Sequence, residues 1–255
     1  MVSPGRVAFT VFGIDIMWYG VLIGFAFILG AYISYRRAPK FGLKPDTFLD
    51  LVIWLIPSSL VGARLYYVIF NWSYYQNHLA EIINTRNGGL AIHGGLILGF
   101  ITAYLVAKHD RENFLDILDV LAPVIALGQS IGRWGNFFNE EAHGTDTDLP
   151  WAQIIDGTGY HPTFLYESIW CFLLFVFLIW FSDKRRTFKG QIICLYFMLY
   201  SFERFFVEGL RTDSLMIGPL RQAQVISIVI MICSAVAIKI LRKKYPLDKS
   251  SAELQ

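Results

Sequence analysis

The sequence predicts an all-α membrane protein in which about seven helices cross the bilayer. The first observation is that 55% of the 255 residues are apolar, the mean hydropathy is +0.47 and only 16% are charged, against about 25% in a typical soluble domain. The second is an aromatic content of 16%, which excludes a disordered chain. A soluble domain of this length has too much surface to bury such a composition. The third is that the apolar residues form runs of the length needed to span a bilayer, about 20 residues.

The predicted spans, taken in order, cover roughly residues 16–35, 48–70, 90–107, 115–134, 163–182, 190–209 and 222–241. The first and last are the most uniformly apolar, whereas the fourth contains Asp116, Asp119 and Pro123. The basic residues Arg36 and Arg37 follow the first run instead of preceding it, which is the wrong order for a cleaved signal peptide. We therefore expect one membrane domain over residues 1–255, with residues 135–160 as a small extracytoplasmic loop region.

The distribution of Lys and Arg predicts the direction of the spans. Of the 22 basic residues, 15 fall in alternate loops or at the C-terminal end, where they include Lys40, Lys108, Lys189 and Lys249. The other seven are all arginines, namely Arg6, Arg64, Arg86, Arg133, Arg204, Arg211 and Arg221. Cytoplasmic loops are enriched in Lys and Arg. The expected topology therefore has the N-terminus outside and the C-terminus in the cytosol.

The charge and the cysteines exclude several kinds of partner. A formal net charge of +2 gives no nucleic-acid-binding surface. Cys171, Cys194 and Cys233 each lie in an apolar run without CxxC spacing or a neighbouring His, so neither a disulfide scaffold nor a zinc site is expected.

Polar residues recur near the predicted outer end of several spans. Ionisable side chains inside a membrane are costly unless they are paired or hydrated, so each is a functional candidate. The set comprises Tyr19, Arg64, His93, Arg133, Glu167, Glu203, Arg204 and Glu208, whereas Asp119 lies in the inner half of the fourth span. Pairing that merely holds helices together remains an alternative, particularly for Arg64 and Asp119. An arginine-lined cavity at the outer leaflet would suit a phospholipid headgroup, because guanidinium groups bind phosphate through two parallel hydrogen bonds.

Three segments carry the most specific patterns. Tyr200, Arg204 and Glu208 are spaced four residues apart and share one helix face. In segment 87–95, which begins at Asn87, the glycine pairs Gly88-Gly89 and Gly94-Gly95 flank His93. The segment from Gly132 to Gly144 contains Arg133, Asn136, Asn139, Glu140 and Glu141 among aromatic residues. Its arginine can neutralise an anion and its amides can orient the anion's oxygens.

Taken together, these residues resemble the phosphatidylglycerol–prolipoprotein diacylglyceryl transferase family. Segment 132–144 resembles the family signature G-R-x-G-N-F-x-N-x-E-x-x-G. Further matches are Trp18-Tyr19-Gly20, Gly62-Ala63-Arg64-Leu65, His93-Gly94-Gly95, Asp119, the segment His161 to Glu167 including Tyr166, and the face formed by Tyr200, Arg204 and Glu208. The resemblance extends from the first to the sixth span.

The resemblance implies a reaction and roles for the matched residues. It implies transfer of the sn-1,2-diacylglyceryl group of phosphatidylglycerol to the lipobox cysteine of a prolipoprotein, the first step of lipoprotein maturation, which forms a thioether and releases glycerol 1-phosphate. The catalytic candidates are His93, Arg133, Arg204 and Tyr19, and the lipid-binding candidates are Arg133, Asn136, Asn139, Arg204 and Tyr200. Supporting roles are expected for Glu141, Gly144, Glu208, Asp119, Arg64, Tyr166 and Glu167, with Glu141 and Glu208 each expected to pair with a basic group. Whether His93 is the base or only orients substrate is left open. The implied reaction needs no metal or organic cofactor.

The implied location is the bacterial cell membrane, with the site facing the outer leaflet. The main alternative is a small lipid transporter or flippase with an outward-facing phosphate-binding cavity. A transporter favours polar residues at all membrane depths, whereas here they concentrate on one side. A purely structural subunit would leave the polar segment 132–144 without a role.

Overall fold

The long apolar runs form helices. The computed structural model describes residues 1–85, 88–212 and 216–247. Its helices are α1 (Trp18–Arg37), α2 (Asp46–Phe70), α3 (Trp72–Tyr75), α4 (Ile92–Asp110), α5 (Phe114–Asn139), α6 (Thr163–Lys184), α7 (Gln191–Leu210) and α8 (Gln222–Lys244). Two 3₁₀ segments cover Ala38–Phe41 and Leu79–Ile83. Arg86, Asn87 and Lys249 lie outside the described residues.

Three short antiparallel hairpins accompany the helices. Each has two strands, and the pairs are β1 (Val7–Val11) with β2 (Ile14–Met17), β3 (Gln153–Ile155) with β4 (Thr158–Tyr160), and β5 (Met216–Ile217) with β6 (Leu220–Arg221). None of these hairpins forms a larger sheet among the described residues. The chain is therefore an all-α protein with small hairpins between its helices.

Six helices of the described chain are long and apolar enough to cross a membrane, and they are α1, α2, α4, α5, α6 and α8. Helix α7 has a similar length, 20 residues, but carries Glu203, Arg204 and Glu208 in its second half. The protein is thus a multi-pass membrane protein. The count of seven spans and the N-outside orientation remain predictions.

Two of the differences between the predicted spans and the helices have an identifiable cause. The first was expected to begin at residue 16, but Ile16 and Met17 pair with β1 as part of β2, and α1 starts at Trp18. The fourth was expected to end at residue 134, but α5 continues to Asn139. Aromatic packing accounts for the extension, because the Phe137 ring lies 4.8 Å from that of Phe164 on α6. The first five residues of the expected loop 135–160 are therefore helical.

Local sequence explains where several helices begin. The Asn113 side chain accepts hydrogen bonds from the backbone N–H groups of Leu115 and Asp116, which would otherwise lack partners at the start of α5. Gly190 precedes α7 with φ +84°, a left-handed conformation that a side chain would disfavour. At the start of α8, the Arg221 backbone N–H donates to the Gln224 side chain.

The chain divides into two compact units. The first contains residues 1–34 and the described residues from 118 onward, and the second contains residues 35–117. In the first unit, buried side chains of α5, α6 and α7 form an apolar core that includes Ala122, Ala126, Leu174, Leu178 and Ile192. In the second unit, α2 packs against α4 where Gly62 faces Gly94. The expectation of a single membrane domain over residues 1–255 remains a prediction.

Candidate functional site

Two arginines of the first unit share one buried carboxylate. Glu167 on α6 is 1% exposed. One of its oxygens forms an ion pair with Arg133 Nη2 on α5, and the other accepts a hydrogen bond from Arg204 Nη1 on α7 at 3.1 Å. Arg204 Nη2 also lies 2.5 Å from Glu208 Oε2, four residues further along α7. The structure thus brings together predicted site residues from three helices.

Tyr200 completes the polar face of α7. It lies one turn before Arg204, as the sequence spacing predicted, and its hydroxyl lies 3.5 Å from Arg133 Nη2. Its ring stacks on that of Tyr196, with 5.8 Å between the centroids. Glu203, which directly precedes Arg204, is buried. Within the described residues neither of its carboxylate oxygens has a hydrogen-bond partner.

The paired arginines keep donors for a further anion. The Arg133 side chain is 20% exposed and that of Arg204 is 18% exposed, so both remain accessible to a ligand. Within the described residues, the polar contacts of Arg133 all involve Nη2, which leaves Nε and Nη1 without a hydrogen-bond partner. A guanidinium has five N–H donors, and a planar pair of them matches two phosphate oxygens. This geometry suits an incoming phosphate.

Glu141 has different partners from those expected. Its Oε1 accepts hydrogen bonds from the side-chain amides of Asn136 at 2.9 Å and Asn139 at 3.3 Å. No Lys, Arg or His of the described chain forms an ion pair with it, so the expected pairing of Glu141 with a basic group is wrong. The last turn of α5 and the residues after it place both amides within reach of this carboxylate. Glu141 therefore holds Asn136 and Asn139 in one arrangement.

Gly135 and Tyr19 meet where α5 passes the start of α1. A Cβ atom on Gly135 would clash with the Tyr19 ring, whose Cε2 atom would lie 2.9 Å from it. Next to this contact, the Trp18 ring stacks on that of Phe138 at 4.8 Å. The glycine of the signature segment thus gives room for Tyr19 beside α5.

Gly144 fixes the loop that follows α5. Its N–H donates to the His161 carbonyl at 2.9 Å, and a Cβ atom on Gly144 would lie 2.7 Å from His161 Cβ. The next residue, Thr145, donates its N–H to Leu210 at the end of α7. Tyr166 lies nearby, with its hydroxyl 3.3 Å from His161 Nδ1. These bonds tie the loop to both α6 and α7.

His93 lies in the second unit, at the second residue of α4. Its side chain is exposed, and its ring centroid is 6.0 Å from that of Tyr66. Among the described residues its ring nitrogens have no hydrogen-bond partner. The two glycines that follow allow close packing, because a Cβ atom on Gly94 would clash with the carbonyl oxygen of Gly62 and a Cβ on Gly95 would lie 3.1 Å from that of Ser59.

Arg64, also in the second unit, binds backbone carbonyls instead of a carboxylate. Its guanidinium donates to Ile82, Gly88 and Gly89 at 2.7, 3.2 and 2.8 Å, and to Glu81 at 2.5 Å. These carbonyls belong to the segment between α3 and α4, so Arg64 holds the described parts of the segment that leads into α4. On the surface of this segment, Tyr74 donates to Glu81 Oε2 at 2.8 Å, and this bond raises the pKa of the Tyr74 phenol.

Asp119 caps the start of α7. It is fully buried and accepts hydrogen bonds from the backbone N–H groups of Gly190, Ile192 and Ile193 at 2.8 to 3.0 Å. It also forms an ion pair with Arg186 at 2.9 Å. Of the two possibilities that the sequence left open for Asp119, the structure thus shows the pairing that holds helices together.

Sequence reasoning missed Arg221 as a neighbour of the arginine cluster, the group formed by Arg133, Glu167, Arg204 and Glu208. Its guanidinium contacts the backbone carbonyl of Glu208 at the end of α7. The only signal was its position just before an apolar run. No group of three or more His, Cys, Asp or Glu residues within the described chain is arranged to hold a metal ion.

Comparisons with known proteins agree over nearly the whole chain. The model of the prolipoprotein diacylglyceryl transferase family matches residues 6–240. A protein of Finegoldia magna named phosphatidylglycerol–prolipoprotein diacylglyceryl transferase is 54% identical over 239 residues, which cover 94% of this chain and 96% of that protein. Proteins of the same name from Clostridioides difficile and Bacillus mycoides are 53% and 45% identical, and the matches cover 94% and 97% of this chain and 96% of each relative.

Proposed function

Because the chain belongs to the prolipoprotein diacylglyceryl transferase family, we propose that it transfers the diacylglyceryl group of phosphatidylglycerol to prolipoproteins. The family match over residues 6–240 is the observation that carries this conclusion. The relatives named above are transferases for these two substrates, and the matches cover nearly their full length. A lipid transporter is the less favoured alternative.

We further propose that the acceptor is the thiol of a lipobox cysteine. The thiolate sulfur attacks a glyceryl carbon of phosphatidylglycerol, and a C–S bond forms as the C–O bond to phosphate breaks. The phosphate oxygen takes the electron pair and leaves as glycerol 1-phosphate, while the thiol proton passes to a base. A thiol is a weak nucleophile until it loses this proton. His93, with an exposed ring at the start of α4, is the candidate for accepting the proton or for orienting the substrate.

In this proposal Arg133 and Arg204 stabilise the charge that develops on the leaving phosphate. Three features support the assignment. The two guanidinium groups are held by one carboxylate, they remain partly exposed, and Arg133 has donors to spare. Asn136 and Asn139, oriented by Glu141, direct the glycerol headgroup. The Tyr200 hydroxyl beside Arg133 and the Tyr19 ring beside Gly135 serve as secondary contacts.

We place this chemistry at the outer leaflet of the cell membrane. The polar segment 132–144 comprises the last turns of α5 and the residues after it, and this span is predicted to end outside. Both substrates are anchored in the bilayer. The membrane thus presents lipid and prolipoprotein at high local concentration, and the protein needs only to orient them.

The deciding experiment uses the purified protein in vesicles of phosphatidylglycerol and phosphatidylcholine with a synthetic lipobox peptide. The expected result is a peptide whose mass increases by one diacylglyceryl group, with an equal amount of glycerol phosphate released. A peptide with Ser in place of Cys and vesicles of phosphatidylcholine alone should give no product. Movement of labelled phosphatidylglycerol between leaflets without any modified peptide would instead support the transporter.

The arginine assignment has its own test in the same assay. Arg133→Lys and Arg204→Lys keep the charge but lose the planar pair of donors, so each should lose at least about tenfold in activity, the effect of about 1.4 kcal/mol. The matched control is Arg242→Lys, because Arg242 lies exposed in the last turn of α8. Near-normal rates in both site variants would exclude the proposed phosphate contact.

A further inference from the structure

The hairpin before the first span has one apolar face. In the pairing of β1 with β2, Phe9 is opposite Ile16 and Val11 is opposite Ile14. Side chains of directly opposite residues point to the same face, and alternate residues along a strand do so as well. One face therefore consists of Phe9, Val11, Ile14 and Ile16. The intervening pair, Thr10 and Asp15, lies on the other face, where their side chains form a hydrogen bond of 2.7 Å.

Most of this apolar face is exposed in the described chain, and only Ile16 is half-buried. Phe9 is 52% exposed, Ile14 is 67% exposed, and Phe12 at the tip is 100% exposed. A soluble surface would rarely present so many large apolar groups side by side. The turn at Phe12 and Gly13, both with positive φ, holds the tip in this exposed arrangement.

The base of the hairpin is held firmly. The Trp18 N–H donates to the Arg6 carbonyl at 2.9 Å, which closes the hairpin against the start of α1. The preceding residues bind the end of α5, since the Ser3 hydroxyl donates to the Phe138 carbonyl at 3.3 Å and Arg6 Nη2 to that of Asn139 at 3.4 Å. The hairpin is therefore a fixed extension of α1 and not a loose terminus.

Its attachment to α1 determines its depth. Helix α1 has 20 residues, which at about 1.5 Å per residue matches the hydrocarbon thickness of about 30 Å. Trp18 thus marks the edge of the hydrocarbon, and the hairpin starts there. The headgroup layer beyond that edge is only about 5–7 Å thick, whereas five strand residues extend about 16 Å. A hairpin standing upright would place the fully exposed Phe12 in water.

We propose that the β1–β2 hairpin lies along the outward-facing surface of the cell membrane. Its apolar side chains enter the lipid, namely Phe9, Val11, Phe12 and Ile14. Thr10 and Asp15 face the water. The partner is the bilayer itself. The adjoining helix α1 also exposes apolar side chains, among them Phe25 and Ile28. Apolar side chains at this depth gain hydrophobic free energy while the polar face stays hydrated. The inference goes beyond the transfer reaction and assigns a membrane-binding surface to the N-terminal segment.

Site-directed spin labelling in lipid nanodiscs tests this arrangement. Cys171, Cys194 and Cys233 are first changed to Ala, and single cysteines are then introduced as Phe9→Cys, Ile14→Cys or, on the opposite face, Thr10→Cys. Labels at positions 9 and 14 should collide several-fold more often with dissolved oxygen, which concentrates in lipid, than the matched label at position 10. They should collide several-fold less often than that label with a nickel complex that stays in water. Val11→Cys replaces Phe9→Cys if that variant accumulates poorly.

Equal nickel accessibility on both faces in nanodiscs would overturn the proposal. So would protection that appears only when a lipobox peptide is added, because the face would then bind substrate instead of lipid. Transferase activity measured on the same labelled proteins reports separately on the proposed function, so failure of one inference is distinguishable from failure of the other.

Discussion

At the scale of single residues, Glu167 connects the two arginines proposed to bind phosphate. The carboxylate is buried and contacts both Arg133 and Arg204. Removing one partner from a buried ionic group leaves the remaining charge uncompensated, which typically costs about 3–5 kcal/mol. The consequence is a change in stability as well as in activity, because two positive groups then repel each other between α5 and α7.

We therefore expect Glu167→Gln to lower both the thermal midpoint in detergent and the transfer rate. Gln keeps the size and one acceptor but removes the charge that the arginines share. The control is Glu140→Gln, since Glu140 is exposed after the end of α5. If Glu167→Gln has the same thermal midpoint and transfer rate as the control, the negative charge of Glu167 is not what holds the two arginines.

Sequence reasoning identified the residues of this cluster but not all of their contacts. Tyr200, Arg204 and Glu208 were predictable as one face because helical spacing is periodic. Glu141 was assigned wrongly, since the turn after Asn139 brings its carboxylate to two amides and not to a basic group. The central position of Glu167 required the packing of three helices, which no spacing within one helix reveals.

At the scale of elements, Asp119 determines where α7 begins. Its carboxylate accepts the N–H groups of Gly190, Ile192 and Ile193, which the first turn of a helix leaves without partners. Asp119→Ala should therefore destabilise the protein by about 3–5 kcal/mol, because it also breaks the ion pair between this fully buried carboxylate and Arg186. The matched control is Asp50→Ala at an exposed position of α2.

The double variant Asp119→Ala with Arg186→Ala distinguishes the two contributions. It should lose less stability in thermal unfolding than the two single variants added together, because each single variant already loses the ion pair. The backbone groups that Asp119 caps stay unpaired in the double variant. A double variant whose loss equals or exceeds that sum would contradict this assignment of the ion pair.

The contact between α2 and α4 depends on two glycines. A Cβ atom on Gly62 would lie 2.6 Å from Leu98 Cβ and closer still to the Gly94 carbonyl oxygen. Gly62→Ala should lower the thermal midpoint by the equivalent of about 1–3 kcal/mol, the usual effect of overpacking. Gly24→Ala in α1 is the control, because a Cβ atom there meets nothing within 4 Å. Equal thermal midpoints for the two variants would show that α2 and α4 can move apart without loss of stability.

The elements themselves were largely predictable, and the exceptions have physical reasons. Long apolar runs located every long helix to within a few residues. The extension of α5 to Asn139 depends on aromatic contacts with α6 that the sequence does not display. The sequence did not reveal the β1–β2 hairpin, because its strands directly precede an apolar helix. The apolar residues of β2 therefore look like the beginning of the first span.

At the scale of the whole molecule, basic residues alternate between helix ends. Helices α1, α4, α6 and α8 carry Lys or Arg in their last turn, whereas α2, α5 and α7 carry none there. If each of these seven helices crosses the membrane once, all four basic ends face the same side. Cytoplasmic enrichment of basic residues then places those ends in the cytosol. The structure thus adds a helix-by-helix argument to the predicted topology.

Cysteine labelling in intact cells checks this topology directly. In a background where Cys171, Cys194 and Cys233 are changed to Ala, Thr145→Cys should react with a membrane-impermeant thiol reagent added outside, because Thr145 is exposed in the loop after α5. Thr187→Cys, exposed between α6 and α7, should react only after the cells are opened. The background itself should keep its transfer activity, since the reactive thiol in the proposed mechanism belongs to the substrate. Labelling at position 187 from outside would reverse the topology, and it would move the arginine cluster away from the leaflet where we place the reaction.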